Sequence, residues 1–346
     1  MFPSRFADEV IKQYTKVGDL VLDPFAGRGT SIYSAAIQGR IGIGIELNPV
    51  GWVYGKAKLN PASQDMVINR LLQLSKTTNK YSLVADCLPE FFHLCFSKNV
   101  RQFLLAAREQ LNWKYKSIDW TIMGLLLVYL HGKRNQSLSN QMRQTKSMSP
   151  GYAVKWWKAN DLTAPELDPV DFMLKRIKWR YSKGCPITNG SQIYLGDCLT
   201  VLTKLCRNRV NLGGNRIRLL LTSPPYYGVT NYHYDQWIRL WLLGYPPMPN
   251  SSLGKHKERF QDKEDYSHLL EAAFRKASYL ITKDSVIYIR TDSREFTFDT
   301  TVNILKQVFP DKKMITIKQP IKGPTQTHLF GNYISNIGEV DLILES

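Results

Sequence analysis

Short apolar, β-rich runs alternate with amphipathic stretches along most of this 346-residue chain, and few architectures accept that alternation. Candidate strands are Asp19–Asp23, Ile41–Glu46, Gln192–Leu195, Arg216–Thr222, Ser285–Arg290, Lys313–Lys318 and Val340–Leu344. The first four are almost continuously apolar, as expected of parallel strands covered on both faces. Helix-like sequence lies between most of them, over Phe6–Tyr14, Thr30–Gln38, Pro49–Leu59, Leu199–Arg207, Tyr266–Ile281 and Thr300–Val308. The pattern predicts a doubly wound α/β sheet. One interval breaks it. From about Asn60 to Gly190 only helix-like segments occur, among them Asp65–Ser75, Val100–Leu111, Ile118–Leu130 and Pro169–Tyr181. This interval reads as a helical insertion between the second and third strands.

The formal net charge is +17, which points to a polyanionic partner. The insertion alone holds 19 Lys and Arg against 9 Asp and Glu, so much of the excess sits there. Five cysteines without a CxxC pair indicate neither a metal site nor a disulfide framework, and they fit a reducing compartment. The opening residues are too polar for a signal peptide. The longest apolar run, Ile122 to Leu130, is too short to span a bilayer. A cytoplasmic location, with no membrane association, is the expectation.

Four motifs carry chemistry. In Val21-Leu22-Asp23-Pro24-Phe25-Ala26-Gly27-Arg28-Gly29-Thr30 a hydrophobic strand runs through a glycine turn into a helix, so backbone can approach a ligand closely. The run is not a GxGxxG, which disfavours a dinucleotide. In Gly42-Ile43-Gly44-Ile45-Glu46 an acid ends the second strand, where ribose hydroxyls are met in such folds. Asp197, ending the third strand, suits either an adenine amino group or the N-cap of the following helix. Asp86, in the similar segment Val84-Ala85-Asp86-Cys87, is its rival. Finally, Ser223-Pro224-Pro225-Tyr226 follows an apolar strand. Two prolines stiffen that turn and can hold a hydroxyl, a carbonyl and a ring in fixed relation.

Together these motifs resemble the DNA amino-methyltransferases. The resemblance covers about residues 2–60 and 190–346 and implies the seven-stranded, Rossmann-like class I methyltransferase sheet with S-adenosyl-L-methionine as cofactor. It also implies a catalytic domain over 1–60 and 190–346, with 61–189 as a helical basic insertion, a candidate target-recognition region. Asp23, Pro24, Phe25, Ala26, Gly27, Gly29 and Thr30 look like the family's cofactor loop, Glu46 like its ribose acid, and Asp197 like its adenine contact. Phe6, within Phe2-Pro3-Ser4-Arg5-Phe6, is similar to the segment that helps hold the methionine end of the cofactor. Ser223, Pro224, Pro225 and Tyr226 look like the catalytic tetrapeptide. The cofactor loop here precedes the tetrapeptide, an order more typical of adenine enzymes.

An exocyclic amine is a poor nucleophile because its lone pair is delocalised into the ring. Ser223 Oγ and the Pro224 carbonyl are placed to accept its N–H bonds, and Tyr226 to stack on a base flipped out of the duplex. Ring-carbon methylation would need a cysteine nucleophile, and none follows a proline or lies near Ser223. The serine favours N4 of cytosine over N6 of adenine, because family members that modify cytosine mostly carry Ser there. An RNA methyltransferase and a non-catalytic nucleic-acid-binding module are the other readings. Double-stranded DNA is the expected partner, and a cognate restriction endonuclease a candidate one. For DNA contact the sequence offers Lys133, Arg134, Arg143 and Lys146 in an expected exposed loop over 131–158, which also carries Gln136, Asn140, Gln141 and Gln144. Asn231 and Tyr232, just beyond the tetrapeptide, are further candidates. Trp237, Leu240 and Trp241 read equally well as the buried face of a helix.

Overall fold

The computed structural model describes residues 3–144, 146–188, 190–207, 217–228, 232–249, 262–319 and 338–346, and for residues 232 and 233 the backbone only. Phe2, Arg216 and Asn231 lie outside the described residues, as do the side chains of Tyr232 and His233.

Among the described residues, seven strands form one sheet. They are β1 (Leu20–Asp23), β2 (Ile41–Glu46), β3 (Gln192–Leu195), β4 (Ile217–Thr222), β5 (Ile281–Asp292), β6 (Lys313–Lys318) and β7 (Glu339–Glu345). Their order is β3-β2-β1-β4-β5-β7-β6. The first five pair in parallel, while β7 runs antiparallel to both β5 and β6. This is the seven-stranded, Rossmann-like class I methyltransferase sheet. The order reverses between β1 and β4, so the carboxyl ends of these two strands stand side by side at the switch point, where ligands bind in open α/β sheets.

The expected helix over 266–281 runs Lys263–Ser278 instead, and β5 begins at Ile281. Leu280 and Ile281, buried at that junction, fit either period and so hide the change from helix to strand.

The chain divides into two compact units. One comprises residues 1–55, 187–230 and 255–346 and contains the sheet; the other comprises 56–186 and 231–254. In the first, α1 (Ser4–Tyr14) and α2 (Thr30–Ile37) pack over one sheet face through Val10, Ile11, Ala35 and the strand residues Val21, Leu219 and Leu221. Helices Cys198–Arg207, Lys263–Ser278 and Glu295–Val308 cover the other face through Leu202, Leu270, Phe274 and Leu305. α3 (Pro49–Leu59) follows β2, and Trp52 Nε1 donates to the Ile193 carbonyl at 3.0 Å, which ties that helix to β3.

The second unit is helical, with a core of interlocked aromatic rings. Phe92 and Trp241 lie 4.5 Å apart between centroids, and Phe91 and Trp237 4.8 Å apart. The segment after the tetrapeptide therefore supplies core to the helical unit, although the sequence grouped it with the sheet. Trp237, Leu240 and Trp241 take the buried role. Between them sits the fully enclosed guanidinium of Arg239, whose Nε reaches the Leu127 carbonyl at 3.0 Å and Nη2 the Gln144 carbonyl at 2.6 Å.

Residues 131–158 are not an open loop. Ser137, Leu138, Ser139, Asn140 and Met142 are buried, and Pro150–Ala159 is a helix. Pro150 takes the first helical position after Ser149, a helix start that resembles a turn signal in sequence.

Gly42 on β2 is where α2 comes closest to the sheet. A Cβ there would stand 2.7 Å from the Ile32 carbonyl oxygen and 2.9 Å from its Cα. Gly42→Ala should therefore destabilise the sheet unit by about 1–3 kcal/mol through overpacking. Equilibrium urea unfolding checks this, and an unchanged midpoint would mean α2 can move aside freely.

Candidate active site

β1 ends in Asp23, and three donors converge on its buried carboxylate. Thr222 Oγ1, from the last residue of β4, donates to Oδ1 at 2.6 Å. The Phe25 amide donates to the same oxygen at 3.1 Å, and Ser31 Oγ, in the first turn of α2, donates to Oδ2. Burial pushes the carboxyl up to about 6, against the pull of those hydrogen bonds. Asp23 thus faces its own protein, joining the glycine turn, the start of α2 and the end of β4. Thr222 and Ser31, which the sequence reading did not single out, complete this node.

The turn itself runs from buried Pro24 through Phe25, partly packed into the core, to Ala26, whose amide donates to the Ile45 carbonyl at 2.9 Å. Gly27 and Gly29 take φ of 55° and 70°, the left-handed region that side chains disfavour. Apart from its two chain neighbours, no heavy atom lies within 4 Å of where a Cβ on Gly27 would be, so the Cα side of the turn faces open space. Thr30 opens α2.

Glu46 ends β2. Its Oε1 accepts from the Asn48 amide at 2.7 Å, while Asn48 Oδ1 accepts from the Val50 amide at 2.9 Å and so caps α3. Desolvation pushes the Glu46 carboxyl up to about 8, against the hydrogen bonds from the Asn48 and Gly27 amides, with Asp23 adding to the rise. Asp197 Oδ1 accepts from the Thr200 amide at 3.1 Å and from Thr200 Oγ1 at 3.2 Å, the expected N-cap pattern. Its rival Asp86 belongs to the helical unit and is paired with Lys98 at 2.9 Å.

The tetrapeptide is fixed on both sides. Thr222 anchors it to Asp23, and Tyr227 packs edge-on against Phe296 at 4.8 Å and Tyr266 at 5.8 Å. Pro224 and Pro225 are buried. Ser223 Oγ donates to Tyr226 Oη over 3.4 Å, so these two side chains face one another. Burial, then Glu339, holds the Tyr226 phenol above its usual range. Phe6, in the first turn of α1, stacks its ring on the Arg290 guanidinium at 3.5 Å.

The arrangement fits S-adenosylmethionine, the cofactor that the resemblance implies. Bare backbone at Gly27 gives room for a ligand, Glu46 offers a carboxyl acceptor for ribose hydroxyls, and both flank the carboxyl end of β1.

Among the proposed DNA contacts, Lys133 and Arg143 are exposed. Arg134 and Lys146 are engaged within the helical unit. Arg134 Nη1 donates to Asn140 Oδ1 at 3.0 Å and to the Thr163 carbonyl at 2.7 Å, while Lys146 pairs with Asp235 at 2.6 Å. Asn140 is fully buried, and Gln141 Oε1 accepts from the Arg134 amide at 2.9 Å. Gln136 and Gln144 are exposed.

Glu46 makes a pH-dependent prediction. Its folded value lies above the ordinary 4.5, so its contribution to stability is fully present below about pH 4.5 and lost as pH rises through about 8. Melting curves of wild type and Glu46→Gln should diverge in favour of the variant between those limits. Parallel curves would show that Glu46 is not desolvated.

A family profile described as DNA methylase, of the N6/N4 methyltransferase type, matches residues 1–50. Over 326 residues the chain is 21% identical to the Type II methyltransferase M.BsoBI of Geobacillus stearothermophilus, which covers 83% of this chain and 61% of that protein. Over 47 residues it is 47% identical to the Type II methyltransferase M.MthZI of Methanothermobacter thermautotrophicus, covering 14% of this chain and 13% of the relative. Over 81 residues it is 27% identical to the Type II methyltransferase M.MjaII of Methanocaldococcus jannaschii, covering 23% and 15%. The chain thus spans about three fifths of the length of the first of these relatives, and much less of the other two. The solved rRNA methyltransferase aviRa of Streptomyces viridochromogenes aligns over 99% of this chain and 85% of its own at 11% identity and a TM-score of 0.35, too low to bear on this chain. Profile and relatives agree with the motifs and with the sheet order in supporting the DNA amino-methyltransferase family, and that family and fold imply S-adenosylmethionine as the methyl donor.

Proposed function

We propose that this protein methylates the exocyclic amine of a DNA base, N4 of cytosine, in a nucleotide flipped out of the duplex. The observation that carries the reading is the hydrogen bond from Thr222 to Asp23, which holds Ser223-Pro224-Pro225-Tyr226 against the cofactor loop at the switch point. S-adenosylmethionine supplies an electrophilic sulfonium methyl. The protein's part is to hold the amine and make its lone pair available. Ser223 Oγ and the Pro224 carbonyl accept the two amine N–H bonds, which favours a pyramidal nitrogen as positive charge develops on it. The stiffness of the proline pair keeps those acceptors in place before the base arrives. Tyr226, whose phenol burial pushes further above its ordinary value, stacks on the base.

Serine as the first residue of the tetrapeptide supports cytosine. Its hydroxyl accepts from the amine and can also orient toward the ring nitrogen of cytosine, where a carboxylate would be repelled. N6 of adenine is the second reading, favoured by the order of the motifs, with the cofactor loop before the tetrapeptide. Asp197 as the adenine contact of the cofactor and Phe6 as part of the wall around its methionine end belong to the same proposal. The helical unit, with its excess of Lys and Arg, is proposed to recognise double-stranded DNA. Lys133 and Arg143 are its phosphate contacts here, since Arg134 and Lys146 already have partners inside the unit.

Mass spectrometry of nucleosides from treated DNA tests the atom, with N4-methylcytosine expected; N6-methyladenine alone would establish the second reading. Ser223→Ala should keep cofactor binding and lower turnover by on the order of 10²-fold or more, as one acceptor is lost from the transition state. Lys133→Ala with Arg143→Ala should weaken DNA binding and reduce the slope of log K against log salt by roughly two, about 0.9 for each phosphate contact removed. An unchanged slope would assign the phosphate contacts to other residues.

A further inference from the structure

Arg290 is buried near the carboxyl end of β5, on the sheet face that α1 covers. Directly across from it on β7 stands Asp341, fully enclosed. The pair is bidentate, Nε to Oδ1 at 2.7 Å and Nη2 to Oδ2 at 2.8 Å, with Glu339 3.5 Å from Nη1. Tyr288 Oη and Gln319 Nε2 also donate to Asp341, at 3.0 and 2.6 Å. The guanidinium therefore cannot turn, and its flat face carries the ring of Phe6 at 3.5 Å.

Stability alone gives little reason for this cluster. A buried ion pair stabilises a fold no better than apolar side chains of similar volume, and an apolar cluster lies beside this one on the same face. What the cluster does supply is an anchor. α1 begins after Pro3 with no side-chain cap, so its first turn lacks a side-chain clamp at the N-cap. The stacked ring provides one, in the segment that precedes the cofactor loop.

We propose that Arg290 is a positioning residue of the methyl-transfer site, fixing Phe6 and through it the N-terminal wall around the cofactor. The inference rests on the proposed function above. Arg290 also opposes the effect of Glu339 and Asp292 on the Tyr226 phenol, so the same charge reaches the tetrapeptide.

A double-mutant cycle with Arg290→Lys and Phe6→Leu tests it. Lysine keeps the charge and loses both the fork and the flat face. Titration calorimetry with S-adenosylhomocysteine reads the binding, and amide exchange over residues 3–14 reads the order of α1. Each single variant should weaken binding roughly tenfold or more, the size of one desolvated cation–π contact. The double variant should bind no worse than the weaker single, and Arg290→Lys should speed exchange in the first turn of α1. KM for the cofactor should rise with kcat changed less. Unchanged binding in folded Arg290→Lys, or additive losses in the double variant, would overturn the inference. Should Arg290→Lys not fold, Asp341→Asn, which loosens the guanidinium, takes its place in the cycle. Wild-type protein that does not bind S-adenosylhomocysteine overturns the proposed function and this inference together; wild-type binding that the variants leave untouched overturns the inference alone.

Discussion

The buried carboxylate of Asp23 has donors from three separate elements converging on it: the Phe25 amide in the turn, Ser31 on α2 and Thr222 at the end of β4. Burying a carboxylate is unfavourable unless its oxygens find partners, and here they find enough to offset much of that cost. The rise of this carboxyl to about 6 shows that the offset is incomplete. The arrangement survives because the sheet brings β1 and β4 side by side, with Leu22 opposite Leu220, which leaves their last residues within reach of each other. The rest of the site hangs on that contact. The glycine turn is held on one side of it and the tetrapeptide on the other, although some 200 residues of chain separate them.

A second group of charges lies further along the same sheet. Arg290, Asp341 and Glu339 come from β5 and β7, and the antiparallel course of β7 is what makes them neighbours. In an all-parallel sheet the residues of β7 would meet β5 in the opposite direction, and Asp341 would not face Arg290. The antiparallel strand of this fold thus brings a fixed cation under α1, close to the residues that follow β4. Glu46 differs from both groups. Its carboxyl is held by backbone amides rather than by a cation, so desolvation dominates and its proton is retained to higher pH than that of Asp23.

Much of the sheet unit was legible from local pattern. Runs of four to six residues located β1, β2, β3 and β6 at or within one residue of their bounds: β1 and β2 are buried on both faces and leave little choice of side chain, while the edge strands β3 and β6 are marked by their β-branched and aromatic residues. The glycine turn and the proline pair stood out for a similar reason, since positive φ and missing backbone donors demand particular residues. The helical unit was less legible. Polar residues such as Asn140, Gln141 and Arg134 look solvent-facing in sequence, yet they satisfy one another and nearby carbonyls inside the unit. Composition cannot distinguish a buried polar network from an exposed loop, because both use the same side chains.

The sequence by itself determined most strands of the sheet, the glycine turn and the proline turn that follow β1 and β4, and the class of the sheet, because each follows from side-chain periodicity or backbone geometry within a few residues. Tertiary structure alone decided the rest: that Thr222 meets Asp23, that Arg290 meets Phe6 and Asp341, and that residues 231–254 belong with the helices. Those contacts join residues far apart in the chain. A hydrogen bond or a stacked ring depends on positions fixed to within a fraction of an ångström, and strand order and register set such positions, while local sequence does not.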